Sequence, residues 1–187
     1  MTTKTRFIGF LFCFFAVSMT YVFLSSSKEE KTSPELPQMQ SFSATPRFPN
    51  EIEIFGKKIE LSRYDLHERY ERELTNMCYT HNSTILTIKR ANRLFPIICQ
   101  ILKEENMPED LVYLACIESA LDTRAVSPTK AAGIWQFMSE TGKQYGLEVN
   151  AEVDERYNVE KATRAACKYL RNAYNIYNDW LTVCASY

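Results

Sequence analysis

The stretch "PEDLVYLACIESALD", Pro108 to Asp122, decides how the chain is read. Leu111, Leu114 and Ala115 precede Glu118 by seven, four and three residues, the spacing that lines up side chains on one side of a helix. Asn106 and Glu109 flank Pro108 in the manner of an N-cap and its reciprocal acid. The stretch therefore predicts a helix with an apolar inner face and a carboxylate at the end of that face. Two readings of Glu118 stand side by side. It is an ordinary residue, solvated at the helix end or paired with an arginine such as Arg124. Or it is a general acid: burial disfavours the charged form, so the carboxyl group keeps its proton near neutral pH and can give it away. In the second reading Ser119 orients the carboxyl group.

Around this helix the chain is predominantly helical in pattern. "LHERYERELTNMCYTH" places Leu66, Tyr70, Leu74 and Met77 on one stripe. "TILTIKRANRLFPIICQILKEEN" carries a second stripe, interrupted by Pro96, which predicts a helix starting near Phe95. "IWQFMSETGKQYG" predicts a helix ending near Gly142 or Gly146. In "NVEKATRAACKYLRNAYNIY", Ala162, Ala166, Tyr169, Leu170 and Ala173 share a face, and "NDWLTVCASY" begins one more helix. Only "IEIFGKKIEL", Ile52 to Leu61, alternates like a strand, as a short hairpin around Gly56 or an extended strap. No βαβ pattern and no internal repeat occurs.

Bulk properties narrow the function. The 187 residues carry a net charge of -1, which gives no footprint for nucleic acid. The six cysteines form no CxxC pair and there are two histidines, a poor set for zinc. Cys116 and Cys167 fall in apolar helical patterns and read as small core residues. Near the N-terminus the uncharged run Phe7 to Leu24 follows Lys4 and Arg6, as in a secretory signal peptide or a signal anchor. Residues 1–27 are assigned to that segment and residues 28–50, rich in Ser and Pro, to a linker. Residues 51–92 then form a mostly helical extension and residues 93–187 the principal domain.

The residues after Glu118 add a resemblance. Glu118-Ser119, Ala125-Val126-Ser127, Ala131-Ala132-Gly133, Ile134-Trp135-Gln136-Phe137-Met138 and Thr141-Gly142 follow one another in the order and spacing of the catalytic signature of the soluble lytic transglycosylases. The resemblance includes the membrane-bound murein branch of that family. "DERYNVEKATRAACKYL", Asp154 to Leu170, is similar to the family's Asp-Glu-Arg and the helix after it. The likeness is firm from about Pro108 to Tyr187. It departs at Lys130, where the family has glycine, and at Tyr187, where the family pattern continues with Asn-Ala-Gly. The domain is therefore expected to be incomplete at its C-terminus.

The resemblance implies an all-α, lysozyme-like fold of the goose type and a peptidoglycan substrate. It implies cleavage of the β-1,4 bond between N-acetylmuramic acid and N-acetylglucosamine, with closure of a 1,6-anhydro ring and no water consumed. Glu118 would be the single acid and base, whereas most glycosidases need two carboxylates. Ser119, Ser127, Gln136, Met138 and Tyr187 would line the glycan groove. Trp135 and Phe137 read as core. Asp122 falls where the family has a variable polar residue. No cofactor and no metal are implied; the expected partners are glycan strands of the cell envelope and, if residues 1–27 stay uncleaved, the inner membrane. A hydrolysing muramidase and an anchored peptidoglycan-binding module are the rival expectations.

Overall fold

A computed structural model describes residues 48–187. The expected export segment, Cys13 and most of the expected linker lie outside them. Among the described residues no helix is long and apolar enough to cross a membrane. The chain runs through strands β1 (Glu51–Ile54) and β2 (Lys57–Glu60), then helices α1 (Tyr64–Tyr79) and α2 (His81–Glu104). A 3-10 turn, Glu109–Leu111, leads into α3 (Val112–Ser119), and α4 is short (Ser139–Gln144). A second 3-10 turn, Glu155–Tyr157, precedes the long α5 (Val159–Tyr177) and the final α6 (Trp180–Ser186).

The strands form the hairpin alternative. They pair antiparallel with Ile52 opposite Ile59, and the two turn residues, Phe55 (φ 50°) and Gly56 (φ 69°), are both left-handed, as a type I′ turn requires. Period-two alternation turns Ile52 and Ile54 inward. Ile54 enters the main core, whereas Ile52 joins a smaller cluster with Leu61, Tyr70 and Leu74. The hairpin tip is docked on the helices. The Phe55 amide donates to Asp110 Oδ2 at 2.6 Å, the Phe55 ring stacks on Trp180, and Lys57 pairs with Asp179.

α2 corrects the expectation of a break at Phe95. It runs for 24 residues straight through Pro96. Thr87, Ala91, Leu94, Ile98, Ile101 and Leu102 keep one buried face on both sides of the proline. An interior proline costs about 3 kcal/mol; burying several aliphatic side chains at roughly 1.5–3 kcal/mol each outweighs it. Pro96 and Asn92, whose carbonyl loses its helical partner, are exposed, so the freed group faces solvent rather than the core. The helix ends in a Schellman motif: Asn106 is left-handed (φ 53°), its amide bonds Lys103 O, and the Met107 amide bonds Leu102 O. Asn106 thus closes α2 rather than capping α3, a second correction.

The third correction concerns Ile134–Met138, which is not helical. Gln136 is left-handed (φ 48°), and the Ala132 amide bonds Phe137 O in an isolated bridge. The apolar spacing there comes from a folded loop that sends Ile134, Trp135 and Phe137 into the core. Trp135 is fully buried, and its indole N–H donates to Thr163 Oγ1 at 2.9 Å. The helix from Val159 is as expected, with the Asn158 side chain accepting from the Lys161 amide as its cap. Ala162, Ala166 and Leu170 are buried on its inner face against α2 and α6. Cys116 and Cys167 are buried free thiols, small residues of the main core.

Candidate active site

α3 is two turns long and nearly all of it is core: Val112, Leu114, Ala115 and Cys116 are buried. Glu118 sits in its last turn, half-buried. Desolvation pushes its carboxyl group up to about 7. Among the described residues it has no ion-pair partner; Arg124 instead gives its main-chain amide to Asp122 Oδ1. The arginine-paired form of the first reading therefore has no counterpart among the described residues.

Immediately after Ser119 the backbone enters a turn that few side chains tolerate. Ala120 (φ 49°) and Leu121 (φ 58°) are consecutive left-handed residues without being glycine, an arrangement that costs of order 1 kcal/mol or more at each. It persists because its surroundings over-determine it. The Ala120 amide bonds Cys116 O, the Asp122 amide bonds Ser119 O, and the Leu121 side chain is fully buried. Arg90, from α2, gives Nη1 to Ala120 O at 3.2 Å and Nη2 to Asp122 Oδ2 at 2.7 Å. Asp122 thus has both carboxylate oxygens engaged.

The expected groove residues separate into two groups. Ser119 Oγ lies 2.9 Å from Ile134 O and 3.1 Å from Ala115 O, so its hydroxyl is turned to the main chain rather than to Glu118. Ser127 closes the turn before Gly133: its Oγ accepts from the Ala131 amide and its carbonyl accepts from the Lys130 amide. Lys130 holds φ 67° in that turn, which explains physically why glycine suits the position. Gln136 gives its amide nitrogen to Gly133 O and Ala125 O. These three side chains build the loop. Met138, by contrast, is 45% exposed, a large apolar side chain that the fold leaves in solvent.

Tyr187 comes back from the far end of the chain. Its hydroxyl donates to Trp135 O at 2.8 Å. Burial, and then the charge of Glu118, hold that hydroxyl well above the ordinary tyrosine range, so it stays protonated. Its ring meets Tyr169 edge-on at 5.1 Å, and Tyr169 meets Tyr145 at 5.2 Å. Sequence reasoning misses Tyr145 and Tyr169 as part of this wall. The helical period places Tyr169 on an apolar face, and its hydroxyl is the only signal of a second character.

Behind the loop stands Arg156. It is buried, with Nε and Nη2 on the Asp154 carboxylate and Nη1 on Lys130 O and Phe137 O. One guanidinium thus fastens both ends of the segment that carries Ala131 to Phe137. The arrangement as a whole offers one proton-holding carboxyl group beside a tyrosine-lined wall. Among the described residues no group of three or more His, Cys, Asp or Glu side chains is placed to hold a metal ion.

Comparison with known proteins matches residues 95–187 to the Transglycosylase SLT domain family. The chain is 36% identical over 123 residues to the membrane-bound lytic murein transglycosylase D of Escherichia coli strain K12, and equally to that of strain O6:H1. The aligned region is 65% of this chain and 26% of each relative, so the chain spans about a quarter of their length. A protein of Alteromonas sp. (strain M-1) named for tributyltin chloride resistance is 25% identical over 118 residues, 63% of this chain and 56% of its own.

Proposed function

Since residues 95–187 belong to the transglycosylase SLT family, we propose that the chain is a lytic murein transglycosylase of the bacterial cell envelope. It acts on peptidoglycan strands and cleaves the N-acetylmuramic acid–β-1,4–N-acetylglucosamine bond without water. The observation that carries this reading is Glu118: half-buried at a helix end, without a counter-ion among the described residues, its carboxyl group raised to about 7.

The steps use one side chain. Protonated Glu118 donates to the glycosidic oxygen as the bond to the muramic C1 breaks. The substrate's N-acetyl group supports the positive charge that develops there. Glu118, now a carboxylate, takes the proton from the C6 hydroxyl of the same sugar, and that oxygen closes on C1 as the anhydro ring. Glu118 ends protonated as it began. Asp122, the next acid in the chain, is engaged by Arg90, which supports a reaction run by one carboxyl group. Ser119, Ser127 and Gln136 support the reading by shaping the loop, and Met138 and Tyr187 by flanking the glycan. Export and retention at the inner membrane through residues 1–27 belong to the same proposal.

Digestion of purified murein sacculi, with products read by mass spectrometry, tests it. The wild type is expected to release anhydro-muropeptides and Glu118→Gln none. Reducing ends would make it a hydrolase, and retained glycan without product a binding module.

A further inference from the structure

The family match begins at residue 95, yet the turn that ends the Glu118 helix is held from outside it. Resting on the reading of Glu118 as the reacting acid, we propose that Arg90 is a positioning residue for Glu118. Arg90 lies on α2, 30 residues before Ala120 and 32 before Asp122. Its guanidinium bonds both the first left-handed carbonyl of the turn and the acid that closes it. Asp122 passes the constraint on, since its Oδ1 accepts from the Arg124 amide and its carbonyl accepts from the Ala125 amide. Ser119 works from the opposite side through Ile134 O.

The turn sets where Glu118 points. In a helix of eight residues the last turn has no further helix to stiffen it, and its free carbonyls depend on what comes next. Ala120 and Leu121 would relax from left-handed to ordinary backbone if the bonds around them were lost, and the last turn would relax with them. A carboxyl group displaced by about 1 Å from its reacting partner loses on the order of a hundredfold in rate. Arg90 touches neither substrate nor reacting atoms; it acts through Ala120 and Asp122. The groups facing Glu118 from elsewhere are Tyr187, just beyond α6, and the aromatic wall behind it. Burial raises the proton affinity of Glu118, and Arg90 is not a partner of that carboxyl group, so losing Arg90 lowers turnover through the placing of Glu118.

The test is steady-state kinetics on soluble peptidoglycan fragments with the full chain as wild type, Arg90→Ala, Arg90→Lys, Asp122→Asn and the double variant Arg90→Ala/Asp122→Asn. Thermal melts confirm that each is folded at the assay temperature. Arg90→Ala is expected to lose tenfold or more in kcat with KM unchanged, and millimolar guanidinium is expected to restore part of it. Arg90→Lys, which keeps the charge without the fork, falls between. The double variant is no worse than the worse single one, because the two side chains act as one unit. An Arg90→Ala enzyme with wild-type kcat overturns the inference, as does a loss confined to KM; if that variant is unfolded, Arg90→Lys at wild-type kcat overturns it. Glu118→Gln run alongside separates the two failures. If Glu118→Gln is as active as wild type, the reading of Glu118 falls and the role of Arg90 with it.

Discussion

Gly133 lies directly under the main-chain carbonyl of Arg156: a Cβ at Gly133 would stand 1.9 Å from that oxygen. No real carbon occupies such a position, and the φ of 75° there already disfavours any other residue. The contact joins the loop that frames the site to the 3-10 turn before α5. Gly133→Ala is expected to destabilise the protein by about 4 kcal/mol or more, measured by urea titration, or to leave no folded material. A loss below about 1 kcal/mol would mean that the loop and the turn are not packed in this way.

Arg156 should also resist substitution. Its guanidinium serves Asp154, Lys130 O and Phe137 O together. Arg156→Met removes every one of these donors and leaves the part-exposed Asp154 without its counter-ion, a change expected to cost about 1–3 kcal/mol. Arg156→Lys should lose less, since it can serve one partner. The same pair predicts a pH effect. The Arg156 hydrogen bond holds the Asp154 carboxyl group below its usual range, so its contribution is present above the ordinary aspartate pKa and is lost as pH falls through the lowered one. The gap in denaturant midpoint between wild type and Arg156→Met should narrow from pH 7 to pH 3 without closing, since the bonds to Lys130 O and Phe137 O do not titrate.

Glu118 has the opposite sign. Its folded-state value is raised, to about 7 from 4.5, by burial. The native state therefore binds the proton more tightly than the unfolded chain, and stability falls as pH rises from 4.5 to 7. The penalty reaches at most about 3 kcal/mol above pH 7. Glu118→Gln removes it: the variant should match wild type at pH 4.5 and be the more stable of the two at pH 8. Turnover should fall with unit slope above about pH 7, because the acid form starts the reaction. Chemical denaturation and pH–rate profiles check the two halves separately, and equal stabilities at pH 8 would place Glu118 in water.

The thiols give a simple probe of the core. Cys116, Cys167 and Cys184 are buried, whereas Cys78 is exposed. Burial pushes the Cys167 thiol up to about 12 and the Cys99 thiol up to about 11. Among the described cysteines, brief maleimide treatment of the native protein at pH 7.5 should modify Cys78 first, with Cys116, Cys167 and Cys184 untouched until denaturant is added. Early labelling of Cys116 or Cys167 would show that α3 or α5 opens.

How much of this is legible in the sequence depends on the range of the interactions. The helix from Val159 is legible because its period of 3.6, its small residues and its Asn158 cap are all local. Glu118 is legible as an anomaly on a stripe. The segment Ile134–Met138 misleads because a tight loop that buries Ile134, Trp135 and Phe137 imitates a helical stripe, and nothing local announces that Gln136 is left-handed. Pro96 misleads for the converse reason: a local helix breaker is overruled by a buried face extending on both sides of it. Arg90 is invisible, since its partners lie 30 and 32 residues away and a lone arginine on a helix has no pattern. Ser119 and Ser127 can be placed near the site, but their hydroxyl bonds, which run to the main chain and along the turn, are a matter of tertiary geometry.

The unbroken passage of α2 through Pro96 has an evolutionary consequence. The boundary expected at residue 93, and the start of the family match at 95, both fall inside this one rod, with Thr87 and Ala91 on the near side and Ile98 to Leu102 on the far side of the same buried face. A recombination event with its crossover there would sever a helix and strand half of its apolar face. The smallest inheritable unit that keeps the helix whole therefore reaches back at least to His81. Shuffling that respected it would carry Arg90 along with Glu118, so that the acid and its distant guanidinium would be passed on as a pair.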